Sequence, residues 1–247
     1  YGQEKGACPY YARVNKARID GNGQVEVLTP EQATHEAYFS KSGRYFVDNY
    51  SRADLEPRSV LRDNKGKVIL ELASPDLTRL YEAGWKMPEP FTVKAADGHT
   101  DLYGFMWKPF DFDSTRRYPI ISYVYPGPQT EAIPLEFSVT AAYNVGLAQV
   151  GFVVVTFGHR GGSPMRDKWY HTFGYNNLRD YPLADDKCGI EQLADRFSFI
   201  DKSKVGIFGH SGGGFMSTAA ICTYPDFYRA AVSSAGNHDN NIYNIWW

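Results

Sequence analysis

Residues 205–222 read VGIFGHSGGGFMSTAAIC and join an apolar run to a run of small residues. The apolar run over Val205–Phe208 predicts a buried strand, and the small residues of Gly212–Cys222 predict a helix. Between them, Gly209–Gly213 fits the pattern G-x-S-x-G. In that pattern a sharp strand-to-helix turn strains the backbone of the serine and exposes its hydroxyl at the top of a sheet. The sequence therefore predicts that Ser211 lies on such a turn, at the N-terminus of a helix.

Similar apolar runs occur on both sides of this stretch. The runs over 119–125, 152–156 and 230–233 predict strands that are buried on both faces. The spacing of apolar residues over 180–197 predicts a helix. Strands that alternate with helices are typical of α/β proteins with a parallel sheet. Together with the serine turn, they predict a partial α/β-hydrolase fold with a mostly parallel, doubly wound sheet.

The residues before position 75 have a different pattern. Short β segments alternate with turn signals such as Asp20–Gly23, Lys41–Gly43 and Asp63–Gly66. The predicted segments are 10–14, 24–28, 36–40, 44–50, 59–62 and 68–72. Since a propeller blade uses four strands in about 40 to 45 residues, we interpret this part as the last antiparallel strands of a β-propeller. A small β-sandwich is the alternative.

A proline-broken connection, Lys86–Pro90, marks the predicted domain boundary. We assign residues 1–88 to the end of a propeller with its linker, and residues 89–247 to the N-terminal part of a hydrolase domain. On this interpretation the sequence is a piece of a longer protein.

Composition excludes several classes of function. The 247 residues include 26 Lys and Arg and 28 Asp and Glu, a formal net charge of −2. Nucleic acid is therefore not an expected partner. The three cysteines have no C-x-x-C spacing, so neither a disulfide framework nor a zinc site is predicted. No apolar run approaches the ~18 to 20 residues of a membrane span, and no cofactor or metal is expected.

A nucleophilic serine needs a histidine base, a carboxylate that orients the base, and donors for the oxyanion. In α/β-hydrolases the acid and then the histidine follow the serine. Only 36 residues follow Ser211, and His238 with Asp239 are adjacent to each other and so poorly placed for both roles. His35, His99, His159 and His171 precede the serine. We therefore expect the triad to be incomplete and these 247 residues alone to be inactive.

Four motifs in order resemble the prolyl oligopeptidase family of serine peptidases, in particular its bacterial branch similar to dipeptidyl peptidase IV. The motifs are Ser40–Tyr45, Tyr118–Pro128, His159–Gly162 and the turn at Gly209–Gly213. The resemblance implies that Ser211 is the nucleophile. It also implies that the Tyr125 hydroxyl and the Gly212 backbone N–H form the oxyanion hole.

The resemblance implies further properties. Tyr243 and Trp246 would be walls of the specificity pocket, and the substrate would be a short peptide from whose N-terminus a dipeptide could be released. A periplasmic or secreted location and a homodimer are typical options for the family. An esterase of the same fold, or a binding protein that retains the fold without catalysis, are the alternatives.

Overall fold

A computed structural model describes residues 8–177 and 180–239 of the chain. The residues group into two compact units. The first unit comprises Tyr1–Met87 and Pro134–Val139, and the second comprises Pro88–Ile133 and Thr140–Trp247. The segment 134–139 thus groups with the first unit, although it lies inside the second in sequence.

The first unit is built from short antiparallel strands. Two of them pair as a ribbon, β1 (Asn15–Lys16) with β2 (Glu26–Val27). Four others form a sheet in which neighbouring strands follow one another in sequence: β3 (Thr34–Phe39), β4 (Tyr45–Arg52), β5 (Leu55–Asp63) and β6 (Val68–Ala73). Gly43 and Gly66 have φ angles of +64° and +84° in the turns of the sheet, which glycine adopts without strain. The strand expected over 10–14 is replaced by β1, which begins at Asn15.

A buried ion-pair cluster stabilises this sheet. The Asp48 carboxylate shares a 2.9 Å hydrogen bond with His35 Nδ1 and accepts another from Arg62 Nε at 2.8 Å. Arg62 also donates to Glu31 at 2.8 Å. The possible ligand atoms of Glu31, His35 and Asp48 lie within 4.8 Å of one another. Because the Arg62 guanidinium neutralises both carboxylates, we interpret the cluster as a structural ion pair rather than a cation site.

The segment 134–139 attaches to the first unit by its backbone carbonyls. The Trp85 indole donates to the carbonyl of Val139 at 2.9 Å, and the Thr34 hydroxyl donates to that of Leu135 at 2.8 Å. Trp85 follows a short helix, α1 (Thr78–Glu82). Its ring packs edge-on against Phe137 with centroids 5.8 Å apart.

The second unit contains a six-stranded mixed sheet. Its strands are β7 (Glu89–Lys94), β8 (Asp101–Trp107), β9 (Tyr118–Tyr123), β10 (Val153–Phe157), β11 (Ile200–His210) and β12 (Tyr228–Ser234). They are ordered β12-β11-β9-β10-β8-β7. The four strands from β12 to β10 are parallel, and β8 and β7 add an antiparallel hairpin. The parallel strands are those that the apolar runs predict.

Four helices accompany this sheet: α2 (Asn144–Gln149), α3 (Lys168–Thr172), α4 (Leu183–Arg196) and α5 (Gly212–Thr223). Every residue of β10 is buried, as expected for a strand inside a covered parallel sheet. Buried apolar side chains of the parallel strands, α4 and α5 form one core, which includes Ile120, Val155, Ile190 and Ala220. None of the helices in the described part of the chain has the length and apolarity needed to cross a bilayer.

Candidate active site

Ser211 lies on a strained turn between β11, which ends at His210, and α5, which begins at Gly212. Its φ and ψ angles are +55° and −118°. A residue with a Cβ in such a conformation costs ~1 to 3 kcal/mol and persists only where its surroundings enforce it. The Ser211 N–H donates to the carbonyl of Ser234 at 2.8 Å, and the Ser211 carbonyl accepts from Phe215 N at 3.0 Å. These bonds hold the serine between strand and helix.

Two glycines allow the turn to pass close to the end of β9. A Cβ on Gly209 would lie 2.3 Å from the Val124 carbonyl oxygen, and one on Gly213 would lie 2.0 Å from the same atom. Both distances are far below van der Waals contact, and both involve backbone that cannot move aside cheaply. The glycines on either side of Ser211 are therefore required by packing as well as by the sequence pattern.

The Ser211 hydroxyl is available for chemistry. It forms no hydrogen bond with any residue in the ranges 8–177 and 180–239. No histidine in those ranges reaches it: His210 binds Ser234 Oγ at 2.9 Å, and His238 lies 3.5 Å from Ser233 Oγ. His35 and His159 are buried against carboxylates instead. The incomplete triad expected from the sequence stays a prediction.

Two candidate oxyanion donors lie beside the turn. The Gly212 N–H is at the N-terminus of α5, where helix N–H groups are unpaired and the helix dipole favours negative charge. Tyr125 lies two residues beyond the end of β9, and its Cα would be 3.6 Å from a Cβ on Gly213. Val124 N bonds to the Phe208 carbonyl at 3.0 Å and so fixes this segment to β11. The Tyr125 hydroxyl has no hydrogen-bond partner among the described residues.

A buried carboxylate, not singled out from the sequence, joins α4 to β9, β12 and the loop after β10. Asp186 on α4 accepts hydrogen bonds from Ser122 on β9 and Tyr228 on β12, each at 2.7 Å, and shares a 3.1 Å bond with His159 Nε2. All four residues are buried. Burial and the neighbouring Asp186 charge raise the pKa of Tyr228 well above its ordinary value. Tyr228 is therefore a neutral donor at physiological pH.

The loop after β10 is held by a second carboxylate, that of Asp185. Arg160 contacts it as a fork, with Nη2 2.7 Å from Oδ1 and Nε 3.0 Å from Oδ2. The hydrogen bond to Asp185 raises the pKa of Arg160 despite partial burial. Glu131 holds the other side of this loop, because it accepts from His159 N at 3.0 Å and from the Tyr170 hydroxyl at 2.6 Å. Asp185 and Glu131 therefore each bond to the loop that follows β10.

Comparison with known proteins agrees with this geometry. A model of the prolyl oligopeptidase family matches residues 137–246, which contain the Ser211 turn. Human dipeptidyl peptidase 8 is 30% identical over 229 residues, which are 86% of this chain and 24% of that protein. This chain is similar to the prolyl oligopeptidase family. The resemblance inferred from the four motifs is confirmed.

Two related solved structures share the fold of this chain. A protein from Bacteroides ovatus, provisionally named dipeptidyl aminopeptidase IV, has a TM-score of 0.74 and 30% identity over 87% of this chain and 30% of its own. Dipeptidyl peptidase 4 of Porphyromonas gingivalis has a TM-score of 0.76 and 24% identity, over 92% of this chain and 32% of its own. The predicted fold class is confirmed. The chain spans about a quarter of the length of the curated relatives it matches.

The structure brings together three of the five site residues predicted from the sequence. Ser211, Gly212 and Tyr125 lie around the turn at the carboxyl ends of β9 and β11. Tyr243 and Trp246 lie outside the described residues, so their role as pocket walls stays a prediction.

Proposed function

We propose that the natural protein containing this chain is a serine peptidase that releases dipeptides from the N-termini of short peptides. The observation that carries the proposal is Ser211 on a strained turn at a helix N-terminus. Its hydroxyl bonds to no described residue, and two candidate oxyanion donors lie beside it. Similarity to this family supports the peptidase class, and human dipeptidyl peptidase 8 carries the dipeptide specificity in its name.

In the proposed mechanism, Ser211 Oγ attacks the carbonyl carbon of the scissile peptide bond while a base takes the hydroxyl proton. The carbonyl oxygen becomes an oxyanion, which accepts hydrogen bonds from the Gly212 N–H and the Tyr125 hydroxyl. The base then protonates the departing amine, which leaves an acyl-enzyme on Ser211. Water hydrolyses that ester and restores the hydroxyl. The base and its orienting carboxylate are assigned to residues outside the described ranges.

A phenol is well suited to the donor role assigned to Tyr125. It donates one strong hydrogen bond and carries no charge at physiological pH. Esterases of the same fold often use an HGGG-type loop at this position, whereas this chain has Tyr125-Pro126-Gly127-Pro128. This difference favours the peptidase over the esterase.

A substrate panel on the full-length natural chain tests the proposal. We expect dipeptidyl p-nitroanilides with a free N-terminus to be cleaved in one step with release of the dipeptide. The same compounds with an acetylated N-terminus should be cleaved at least about tenfold more slowly, since an exopeptidase reads the free amine. Equal rates on both would indicate an endopeptidase. Turnover of p-nitrophenyl esters alone would favour the esterase, and no turnover would favour the binding protein.

Replacing Tyr125 with phenylalanine tests the oxyanion hole. We expect kcat for the dipeptidyl nitroanilide to fall by about 10² to 10³ with little change in KM, because the lost bond strengthens only as charge develops. Tyr123→Phe is a matched control, since it also removes a tyrosine hydroxyl near the end of β9. The Tyr123 ring packs against Phe208 in a tilted arrangement, with ring centroids 4.8 Å apart. An unchanged kcat in Tyr125→Phe, or an equal loss in both variants, would remove Tyr125 from this role.

Assembly and location remain predictions for the whole protein. The family resemblance favours a homodimer and an exported or periplasmic protein, and the net charge of −2 gives no reason to expect nucleic acid as a partner. Gel filtration with light scattering on the full-length natural chain measures the first of these directly.

A further inference from the structure

Ser234, the last residue of β12, contacts the Ser211 turn through both its backbone and its side chain. Its carbonyl accepts from the Ser211 N–H at 2.8 Å. Its hydroxyl shares a 2.9 Å hydrogen bond with Nδ1 of His210, the residue directly before Ser211. His210 and Ser234 are also paired in the parallel register of β11 and β12. One residue of the neighbouring strand thus holds two consecutive residues of the turn.

The helix that follows the turn is attached to the same strand end. The Ser233 hydroxyl donates to the Gly214 carbonyl at 2.8 Å. A Cβ on Gly214 would lie 2.5 Å from the Ser234 carbonyl oxygen, so α5 begins in direct contact with β12. The position of the first turn of α5, and with it the Gly212 N–H, therefore depends on where the end of β12 lies.

The hydrogen bond between the His210 and Ser234 side chains joins the last paired residues of β11 and β12. Strand ends fray readily, and Ser211 needs an enforced φ of +55°. A side-chain bond at the last register position opposes fraying at the point where the strain is held.

We propose that His210 and Ser234 form a clasp that positions the Ser211 backbone, and that both are positioning residues for the reaction proposed above, on which this inference rests. The clasp acts through backbone placement and not through proton transfer. The His210 ring contacts Ser234 through Nδ1 and forms no hydrogen bond with the Ser211 hydroxyl among the described residues, so we assign it no proton transfer. Loss of the clasp should therefore lower kcat without changing the shape of its pH profile.

The test uses the full-length natural chain, a dipeptidyl nitroanilide, and the variants Ser234→Ala, His210→Ala and the double variant. We expect each single alanine variant to lose about three- to tenfold in kcat, the range of one net hydrogen bond, with KM within twofold. The loss of kcat in the double variant should be no larger than in the more impaired single variant, because both single substitutions remove the same bond. Ser234→Thr and His210→Asn keep a hydrogen-bonding atom and should recover most of kcat. Ser203→Ala, an exposed serine at the opposite end of β11, should leave kcat unchanged.

Each outcome decides the proposal. Losses that multiply in the double variant, or wild-type kcat in Ser234→Ala, would overturn the clasp while the peptidase function stands. A lost limb of the pH profile in His210→Ala would make His210 a titrating catalytic group and also overturn it. No hydrolysis by the wild-type chain would overturn both the function and the clasp. If Ser234→Ala fails to fold, the kcat of His210→Ala alone decides the proposal. The His210 side chain is exposed, so its removal leaves no buried cavity.

Discussion

Ser211→Ala should lower kcat/KM for a dipeptidyl nitroanilide by about 10⁴ to 10⁶ in the full-length natural chain, the largest loss we expect. No acyl-enzyme can form without the hydroxyl, so the base and the oxyanion donors have nothing to activate or stabilise. Substrate binding should change little, because alanine removes the attacking atom and leaves the backbone bonds that hold the turn in place. The measurement is steady-state kinetics, with mass spectrometry after a fluorophosphonate probe as a second readout.

The appropriate control for Ser211→Ala is Ser203→Ala, which removes a hydroxyl from an exposed position on β11. It should retain full activity and remain labelled by the probe. The stability of Ser211→Ala should stay within about 0.5 kcal/mol of wild type, as is usual where no buried contact is lost. Residual activity above about 1% of wild type would show that another residue is the nucleophile.

The turn and its strand were predictable because their signals are local. Glycines beside Ser211 and an apolar run before it suffice to indicate the strand, the turn and the helix. The strand itself is longer than the apolar run indicates, since β11 spans Ile200–His210 and includes the polar residues 201–204. These residues extend the strand because Ile200 and Asp201 pair with the start of β9 across a register shift. Such pairing is not visible in the hydrophobic pattern.

Two helices could not be predicted because they are short. α2 and α3 have six and five residues, too few to establish an apolar period. The start of α3 is set instead by a local cap, in which the Asp167 carboxylate accepts from Tyr170 N at 2.9 Å. The expected position of Tyr125 was also slightly wrong, since β9 ends at Tyr123 and Tyr125 lies in the following loop.

The role of Asp186 was hidden for a different reason. Asp185 and Asp186 are adjacent in the first turn of α4. In the sequence, such a pair resembles solvated acidic residues that stabilise a helix N-terminus. Both are in fact fully buried. The partners of Asp186 lie 64, 27 and 42 residues away in sequence, and only the folded sheet brings them together.

We therefore expect Asp186→Ala to lower the free energy of unfolding of the second unit by about 3 to 5 kcal/mol, the cost of removing one member of a buried charged network. The variant leaves three polar groups without their acceptor, those of Ser122, His159 and Tyr228, and opens a small cavity among them. Urea denaturation of the full-length natural chain, followed by tryptophan fluorescence, measures the loss.

Asp195→Ala on the same helix is the matched control for Asp186→Ala. Its side chain is 73% exposed and its ion pair with Lys202 spans 3.6 Å, so its removal should cost less than about 1 kcal/mol. Asp186→Asn retains the shape of the side chain and one acceptor oxygen. Its loss of unfolding free energy should lie between those of Asp186→Ala and Asp195→Ala. If Asp186→Ala lost no more unfolding free energy than Asp195→Ala, the polar groups of Ser122, His159 and Tyr228 would have found other partners. The carboxylate would then not be what joins β9, α4 and β12.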